Sequence, residues 1–207
     1  MSYGRDDFAA EFSVSRETLK KLDRYAELLA EWQDRMNLVG PSTLPHIWER
    51  HFRDSAQLLP LVPKLGHKPV WLDIGAGGGF PGLVLAAMDA GTLHLVESIA
   101  KKCRFLETVA DELGLDGAAV VHNERVEKLP RFRADVITAR ACANLAQLFD
   151  WGLPFAASST VWLLPKGALV EEELAAAKKR FAFDAELVPS RTDERGRIVV
   201  ARGVKKR

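Results

Sequence analysis

The fold is decided by the stretch Asp73-Ile74-Gly75-Ala76-Gly77-Gly78-Gly79-Phe80-Pro81-Gly82, which ends the apolar run 70–74. Its glycines allow a tight turn and a close approach of the backbone to a ligand, because they carry no Cβ. Pro81 suits the first turn of a helix. The stretch therefore predicts a strand, a glycine loop and a helix, and we expect free amides at the helix start to favour a negatively charged ligand group.

Around this stretch, short apolar runs alternate with amphipathic segments. The predicted strands are 70–74, 93–97, 118–122, 135–139, 161–165 and 198–201, and the predicted helices include 81–90 and 99–114. Such alternation is typical of an α/β fold with a mostly parallel, doubly wound sheet. Ligands of these sheets bind at the carboxyl ends of the strands, which places the predicted site at the glycine loop.

The region before Pro60 has a wholly helical pattern. Ser15 is a candidate N-cap, Gly40-Pro41 is expected to stop the first helix, and a second helix is expected from Thr43 to Pro60. The apolar stripe of the first helix consists of Leu19, Leu22, Ala26, Leu29, Trp32 and Met36. Two helices alone bury little surface, so we predict that residues 1–66 form a helical extension packed on a core domain of residues 67–207.

Composition sets broad limits on the function. The chain has 207 residues, of which 47% are hydrophobic and 28% charged, and its net charge of +1 argues neither for nor against a nucleic acid partner. Residues 1–7 contain no apolar signal core, and two cysteines are typical of reduced thiols. We therefore expect a cytoplasmic monomer without membrane association, an obligate protein partner or a metal site.

Two cofactor classes compete for the loop. Gly77, Gly79 and Gly82 match G-x-G-x-x-G, a weak signal for a dinucleotide. Asp73, however, would repel a pyrophosphate, whereas it could satisfy the ammonium group of a methionine moiety, directly or through water. Glu97 ends the second predicted strand, where its carboxylate can accept both ribose hydroxyls in either class. The acid before the glycines favours S-adenosylmethionine over NAD.

The sequence lacks the residues that two kinds of methyl transfer usually require. Attack at pyrimidine C5 needs a thiolate, but neither Cys103 nor Cys142 follows a proline, and we expect both to be packing residues. The Asn/Asp-Pro-Pro-Tyr/Phe motif of exocyclic amine methylation is missing at 138–142, which read Thr-Ala-Arg-Ala-Cys. An acceptor that already owns a lone pair, such as purine N7, remains. Its methylation needs no general base, only alignment of acceptor, methyl carbon and sulfur.

The sequence as a whole resembles a known family, the bacterial small-subunit ribosomal RNA guanine-N7 methyltransferases, also called glucose-inhibited division protein B. The matching segments are Asn37-Leu38-Val39, residues 48–55 and 73–82, Lys101-Lys102, Arg125-Val126-Glu127, residues 138–141 and Lys166-Gly167. The resemblance implies a class I, Rossmann-like fold with a seven-stranded sheet. It also implies methylation of N7 of guanine 527 in 16S ribosomal RNA, with free RNA or the 30S subunit as substrate.

The resemblance also implies roles for individual residues. Cofactor contacts are expected from Gly75, Phe80, Val126, Glu127 and Arg140, in addition to Asp73, Gly77, Gly79 and Glu97. Catalytic contributions are expected from Arg140, Lys166 and Asn37, and RNA contacts from Lys101, Lys102 and Arg125. A guanidinium after the fourth strand suits this assignment, because it can stack on a flipped base or hold its phosphate.

Some alternatives stay open at the level of sequence. Arg50 and Asp54 could form an ordinary i,i+4 surface ion pair, or with His51 they could face the cofactor or the acceptor base. The same fold also serves small-molecule methyltransferases, and a binding module could hold the nucleoside without transferring a group.

Overall fold

A seven-stranded sheet forms the centre of the computed structural model, which describes residues 3–207. The strands are Val70–Ile74 (β1), Thr92–Glu97 (β2), Ala119–Asn123 (β3), Ala134–Thr138 (β4), Ala156–Lys166 (β5), Phe181–Pro189 (β6) and Arg197–Lys206 (β7). Their order is β3-β2-β1-β4-β5-β7-β6, and β7 runs antiparallel to both neighbours. The mostly parallel, doubly wound sheet is therefore confirmed. The strand order reverses between β1 and β4, which is where such sheets bind ligands.

Seven α-helices surround the sheet within the described residues. They are Arg5–Phe12 (α1), Arg16–Gln33 (α2), Asp54–Ala56 (α3), Gly82–Ala87 (α4), Ala100–Glu112 (α5), Leu145–Gly152 (α6) and Val170–Lys178 (α7). The first of them, α1, was not predicted, because Phe8 is its only buried residue and its sequence shows no apolar stripe. Similarly, β6 was missed because Phe181 is its only fully buried position. No helix of the described residues is long and apolar enough to cross a bilayer.

The N-terminal helices differ in part from the prediction. The N-cap is confirmed, since the Thr18 amide donates to Ser15 Oγ over 3.0 Å. The expected end of α2 at Gly40 is wrong, because the helix stops at Gln33. The expected helix after Thr43 is a mixture of a 3₁₀ helix, Pro41–His46, a π-helix, Trp48–Arg53, and the short α3.

The early end of α2 depends on the Gln33 side chain. Its Oε1 accepts the amides of Leu38 and Val39, each over 3.1 Å, and its Nε2 donates to the Val39 carbonyl over 2.8 Å. One side chain thus satisfies three backbone groups of the turn that leads to the glycine loop. Leu38 then packs on that loop, where its carbonyl oxygen would lie 3.1 Å from a Cβ added at Gly78.

The apolar core lies on both faces of the sheet. On one face, Phe8, Tyr25 and Phe52 of the N-terminal region share a cluster with Leu83 and Phe105. The opposite face is covered by a second cluster under α6 and α7. Residues of the N-terminal helices thus share one apolar cluster with α4 and α5. The division into residues 1–66 and 67–207 stays a prediction, and residues 1 and 2 lie outside the described part.

Replacing Gln33 with alanine tests the importance of this turn. Gln33→Ala leaves three backbone groups without their partner, so we expect a loss of about 1–3 kcal/mol in the free energy of unfolding, measured in urea. Gln147→Ala is the matched control, because the Gln147 side chain makes no hydrogen bond within residues 3–207. The control should change the free energy by less than about 0.5 kcal/mol. Equal effects of the two substitutions would contradict this account of the turn.

Candidate active site

A cleft of about 940 Å³ opens at the carboxyl ends of β1, β2, β4 and β5. Most of the predicted site residues line it: Gly75, Gly77, Phe80, Glu97, Lys102, Arg125, Val126, Glu127, Arg140 and Lys166. Its size lies within the range of ligand pockets, roughly 300–1,000 Å³. The structure thus brings together, in one cleft, predicted residues as far apart in the sequence as Gly75 and Lys166.

Four predicted site residues do not line the cleft. Asn37 is exposed beside it, and the exposed Lys101 donates to the Arg35 carbonyl over 3.4 Å. Gly79 lies beneath the loop, where an added Cβ would meet the Leu83 side chain at 2.5 Å, and its φ of +92° favours glycine. Asp73 is fully buried behind the loop. Direct ligand contacts are therefore better assigned to the lining residues.

The Asp73 carboxyl group holds the loop from behind. Its Oδ2 accepts the Gly82 amide at the start of α4 over 3.0 Å, and its Oδ1 has no hydrogen-bond partner among the described residues. Burial raises the pKa of Asp73 to about 7, although the Gly82 amide and the charge of Arg140 act in the opposite direction. A buried oxygen without a partner fits a nearby ammonium group or a bridging water, as the sequence analysis proposed.

The expectation of free amides in the loop is mostly wrong. The Gly75 and Ala76 amides both donate to the Val96 carbonyl, and the Gly79 and Phe80 amides donate to the Ala76 carbonyl. The Gly77 amide donates to Glu97 Oε2 over 3.1 Å. The loop is thus folded onto itself and onto the end of β2. Its glycines serve the turn, since Gly75 and Gly77 have φ values of +73° and +57°.

Glu97 is fixed where a nucleoside would need it. Besides the Gly77 amide, its carboxylate accepts the Ile99 amide over 2.9 Å, and the residue is only 8% exposed. Each carboxylate oxygen has a second lone pair, so both can still accept a ribose hydroxyl. Ile99 beside it is 51% exposed and offers an apolar face for a ring, and Val126 and Glu127 line the same side. These groups fit the nucleoside part of S-adenosylmethionine.

Arg140 is the most connected side chain of the cleft. Its Nη1 donates to Asp54 Oδ2 over 3.1 Å and to the Arg50 carbonyl over 3.2 Å, and its Nη2 donates to His51 Nδ1 over 2.9 Å. Its guanidinium carbon lies 4.9 Å from the centre of the Phe80 ring, a cation–π distance. Arg50 and Asp54 form no ion pair with each other, and Arg50, His51 and Asp54 all line the cleft.

His51 continues this network as a neutral ring. Burial, followed by the charges of Arg140 and Arg50, lowers its pKa to about 3. Because Nδ1 accepts from Arg140, the proton belongs on Nε2, which lies 2.8 Å from Thr43 Oγ1. The Thr43 hydroxyl in turn donates to the Gly40 carbonyl over 2.7 Å. Thr43 was not predicted as a partner of His51, because nothing in the local sequence distinguishes it from a turn residue.

Lys166 fixes the segment that follows β4. Its Nζ donates to the Ala143 carbonyl over 2.6 Å and forms an ion pair of 2.9 Å with Glu173, and its side chain is 8% exposed. Glu173 also accepts the Leu145 amide over 2.7 Å. Glu173 was not predicted, because an acid in the first turn of a helix is common without any site. Together the pair holds the end of this segment that leads into α6, at Ala143 and Leu145.

Solved structures share this architecture at low sequence identity. A SAM-dependent methyltransferase from Aquifex aeolicus has a TM-score of 0.58 and 17% identity, covering 79% of this chain and 94% of that chain. A putative O-methyltransferase from Klebsiella pneumoniae also has a TM-score of 0.58, with 16% identity and coverage of 88% and 89%. These likenesses and the strand order define a class I methyltransferase fold, which confirms the predicted fold class.

Sequence relatives are more specific. A family model described as rRNA small subunit methyltransferase G matches residues 18–198. Ribosomal RNA small subunit methyltransferase G of Paramagnetospirillum magneticum is 45% identical over 201 residues, 97% of this chain and 96% of the relative. Its namesake in Hyphomonas neptunium is 43% identical over 207 residues, 98% of each chain. The chain belongs to the rRNA small subunit methyltransferase G family, so the resemblance seen in the sequence is confirmed. The predicted cofactor, S-adenosylmethionine, agrees with both comparisons.

The protonation state of His51 can be measured directly. At about pH 5 the folded protein should show a neutral ring with its proton on Nε2, because the pKa is lowered to about 3. Two-bond ¹H–¹⁵N correlation spectra distinguish the two neutral tautomers from the doubly protonated ring. In urea the same ring should titrate near its ordinary value, about 6.5. A doubly protonated His51 in the folded protein at that pH would contradict the described network.

The same shift has a consequence for stability. As the pH falls from about 6.5 towards 3, the unfolded chain binds a proton at His51 that the folded chain does not bind. The contribution of this group to folding is therefore complete above about pH 6.5 and declines through that range.

Proposed function

We propose that this protein transfers the methyl group of S-adenosylmethionine to N7 of guanine 527 of 16S ribosomal RNA, either in free RNA or in the 30S subunit. Family membership supports an rRNA substrate, since the named relatives are ribosomal RNA small subunit methyltransferases. The choice of a purine N7 rests on the chemistry of the cleft. A ribosomal RNA substrate also implies that the protein works in the cytoplasm.

We propose N7 as the methyl acceptor because the ionisable side chains around Arg140 are already paired or hydrogen-bonded. Asp54 is paired with Arg140, Glu173 is paired with Lys166, and both nitrogens of His51 are engaged. A nucleophile that must lose a proton needs a free base, whereas N7 of guanine attacks with its own lone pair. Asp193, on the turn between β6 and β7, is the one carboxylate of this half without an ion pair within residues 3–207, and it accepts the Arg195 amide over 2.9 Å. The groups around Arg140 therefore suit an acceptor that requires orientation and no deprotonation.

When bound, S-adenosylmethionine supplies an electrophilic methyl group on a positively charged sulfur. The chain supplies orientation. Glu97 would hold the ribose, and Ile99, Val126 and Glu127 would hold the adenine ring. Good alignment of the reacting atoms alone can contribute roughly 7–11 kcal/mol to lowering the barrier.

Arg140 is proposed to hold the acceptor nucleotide. Three of its N–H groups are used within the protein, and a guanidinium has five, so two remain for the O6 oxygen of a guanine or for a phosphate. The contacts to Asp54 and His51 fix its plane before the substrate arrives. Lys166 would act by fixing the loop beside it. Asn37, Lys101, Lys102 and Arg125 stay proposals, and of these Lys102 and Arg125 line the cleft and could contact RNA phosphates.

Methyl transfer to RNA is the direct test. The purified protein should transfer tritiated methyl groups from S-adenosylmethionine into 16S RNA or 30S subunits from cells lacking this protein, and mass mapping should find one methyl group, at N7 of guanine 527. RNA from cells that contain the protein should accept little label, because the position is already modified. Label at another base or another atom of guanine would refute the proposal. Label only in small molecules would favour a small-molecule methyltransferase.

Calorimetric titration tests the choice of cofactor. We expect binding of S-adenosylmethionine and no detectable binding of NAD, since the Asp73 carboxyl group behind the loop disfavours a pyrophosphate there. Tight binding of NAD alone would overturn the cofactor assignment.

Arg140→Ala should keep the fold and lower the single-turnover rate of RNA methylation by roughly 100-fold or more, as removal of a preorganised donor does in other active sites. The matched control is Arg133→Ala, because Arg133 lies just before β4, at the opposite end of that strand, and donates only to the Ala156 carbonyl. The control should methylate RNA at the wild-type rate, and circular dichroism should verify both folds. An unchanged rate for Arg140→Ala would refute the assignment.

A further inference from the structure

The two halves of the cleft differ in charge. The half that follows β2 and β3 has two cationic and three acidic side chains: Lys102, Arg125, Glu97, Glu124 and Glu127. The half formed by residues 50–54 and by the ends of β4, β5 and β7 has four cationic and three acidic side chains: Arg50, Arg140, Lys166, Arg197, Asp54, Glu173 and Asp193. The cofactor half is thus slightly negative, which suits a cationic sulfonium nucleoside, and the acceptor half is slightly positive.

The ion pairs show which of these cations are compensated directly. In the acceptor half, Arg140 and Lys166 are neutralised by Asp54 and Glu173, as described above. Within residues 3–207, Arg50 and Arg197 form no ion pair. Arg50 Nη1 donates to the Thr192 carbonyl over 2.8 Å, and Arg197 Nη1 donates to the carbonyls of Glu194 and Gly196 over 2.9 and 2.7 Å. Because these acceptors are uncharged, neither guanidinium group is paired with an acid, and Asp193 is the one carboxylate among the described residues that lines this half outside an ion pair.

The partners of these two arginines lie in one place, the turn 190–196 that connects β6 and β7. A third arginine, Arg195, stands on the same turn. Arg195 is exposed, and its side chain makes neither an ion pair nor a hydrogen bond with the described residues. Elsewhere on the surface many arginines are paired, for example Arg24 with Glu27 and Arg180 with Asp150. Arg50 and Arg197 line the cleft, and Arg195 lies beside it, in a shallow depression that Arg197, Glu171 and Glu172 also line. These three arginines form no ion pair within the described residues, and we call them the arginine rim: Arg50, Arg195 and Arg197.

We propose that the arginine rim binds the phosphates of the RNA strand that contains the acceptor guanine, so that the strand crosses the cleft beside the β6–β7 turn. This inference rests on the proposed function, because it concerns how the same site receives its substrate. Guanidinium groups match phosphate oxygens with two parallel N–H donors, and their weak hydration favours such contacts. A rim of several such groups extends beyond a single nucleotide, as binding to a polyanion requires.

The position of the rim explains a further feature of the site. Asp54, which holds Arg140, also accepts the Thr192 hydroxyl of this turn over 2.6 Å. An RNA strand bound at the arginine rim would thus contact the turn that is tied to Arg140 through Asp54. Its bound phosphates would place the acceptor base over the Arg140 guanidinium. The rim would act in positioning the substrate and would have no part in holding the cofactor.

Salt-dependent binding tests the inference, with in vitro transcribed 16S RNA as the probe and the full chain as the protein. The logarithm of the binding constant falls linearly with the logarithm of the salt concentration, and each phosphate contact adds roughly 0.7–0.9 to the slope. Arg195→Gln and Arg197→Gln should each reduce the slope by about that amount, and the double variant by about twice as much. The affinity for S-adenosylmethionine, measured by calorimetry, should be unchanged.

Two controls separate charge from structure. Arg195→Lys and Arg197→Lys keep the charge and should retain a slope near that of the wild type. Lys179→Gln removes an exposed cation after α7, at the opposite end of the sheet from the cleft, and should leave the slope unchanged. Unchanged slopes in both glutamine variants would overturn the inference, and so would equal losses in the lysine and glutamine variants. Wild-type protein that methylates neither 16S RNA nor 30S subunits would refute the proposed function, and the binding slopes cannot produce that result.

Discussion

The geometry of the whole site depends on the guanidinium of Arg140. It is held by Asp54, by His51 and by the Arg50 carbonyl, all from the N-terminal region, and it lies over Phe80 of the glycine loop. Because these partners come from two segments that are both distant in sequence from Arg140, the position of Arg140 is set only in the folded protein. The helices before β1 are therefore part of the active site as well as part of the core.

A second constraint acts on the glycine loop. Most of its amides are satisfied within the loop, by the end of β2 or by Glu97, and the Asp73 carboxyl group caps α4 from behind. Tyr25 of α2 adds a further hydrogen bond, from its hydroxyl to the Gly78 carbonyl. A loop fixed in this way lets a ligand approach the backbone closely, but most of its amides are already hydrogen-bonded. Side chains must therefore recognise the ligand. This arrangement differs from a phosphate-binding loop, in which free amides point at the ligand.

Local features of the fold could be predicted from the sequence. The bounds of β1 and the Ser15 cap follow from short-range preferences. Gly114, the last residue of the predicted helix 99–114, has a φ of +58°, which is typical of a glycine that ends a helix. The pairing of Asp54 with Arg140 could not be predicted, because the two residues are 86 positions apart. The end of α2 was missed for a similar reason: the Gln33 side chain binds the backbone of Leu38 and Val39 and ends the helix, although the apolar helical pattern continues to Met36. The family came from motif resemblance, which composition and periodicity could not have supplied.

A crystal structure with S-adenosylhomocysteine, the product left after methyl transfer, would test this assignment of the cleft most directly. We expect the ribose hydroxyls on the Glu97 carboxylate, the adenine ring between Ile99 and Val126, and the sulfur facing the half of the cleft that contains Arg140 and Lys166. A nucleoside bound outside this cleft, or bound with its sulfur turned away from Arg140, would contradict it.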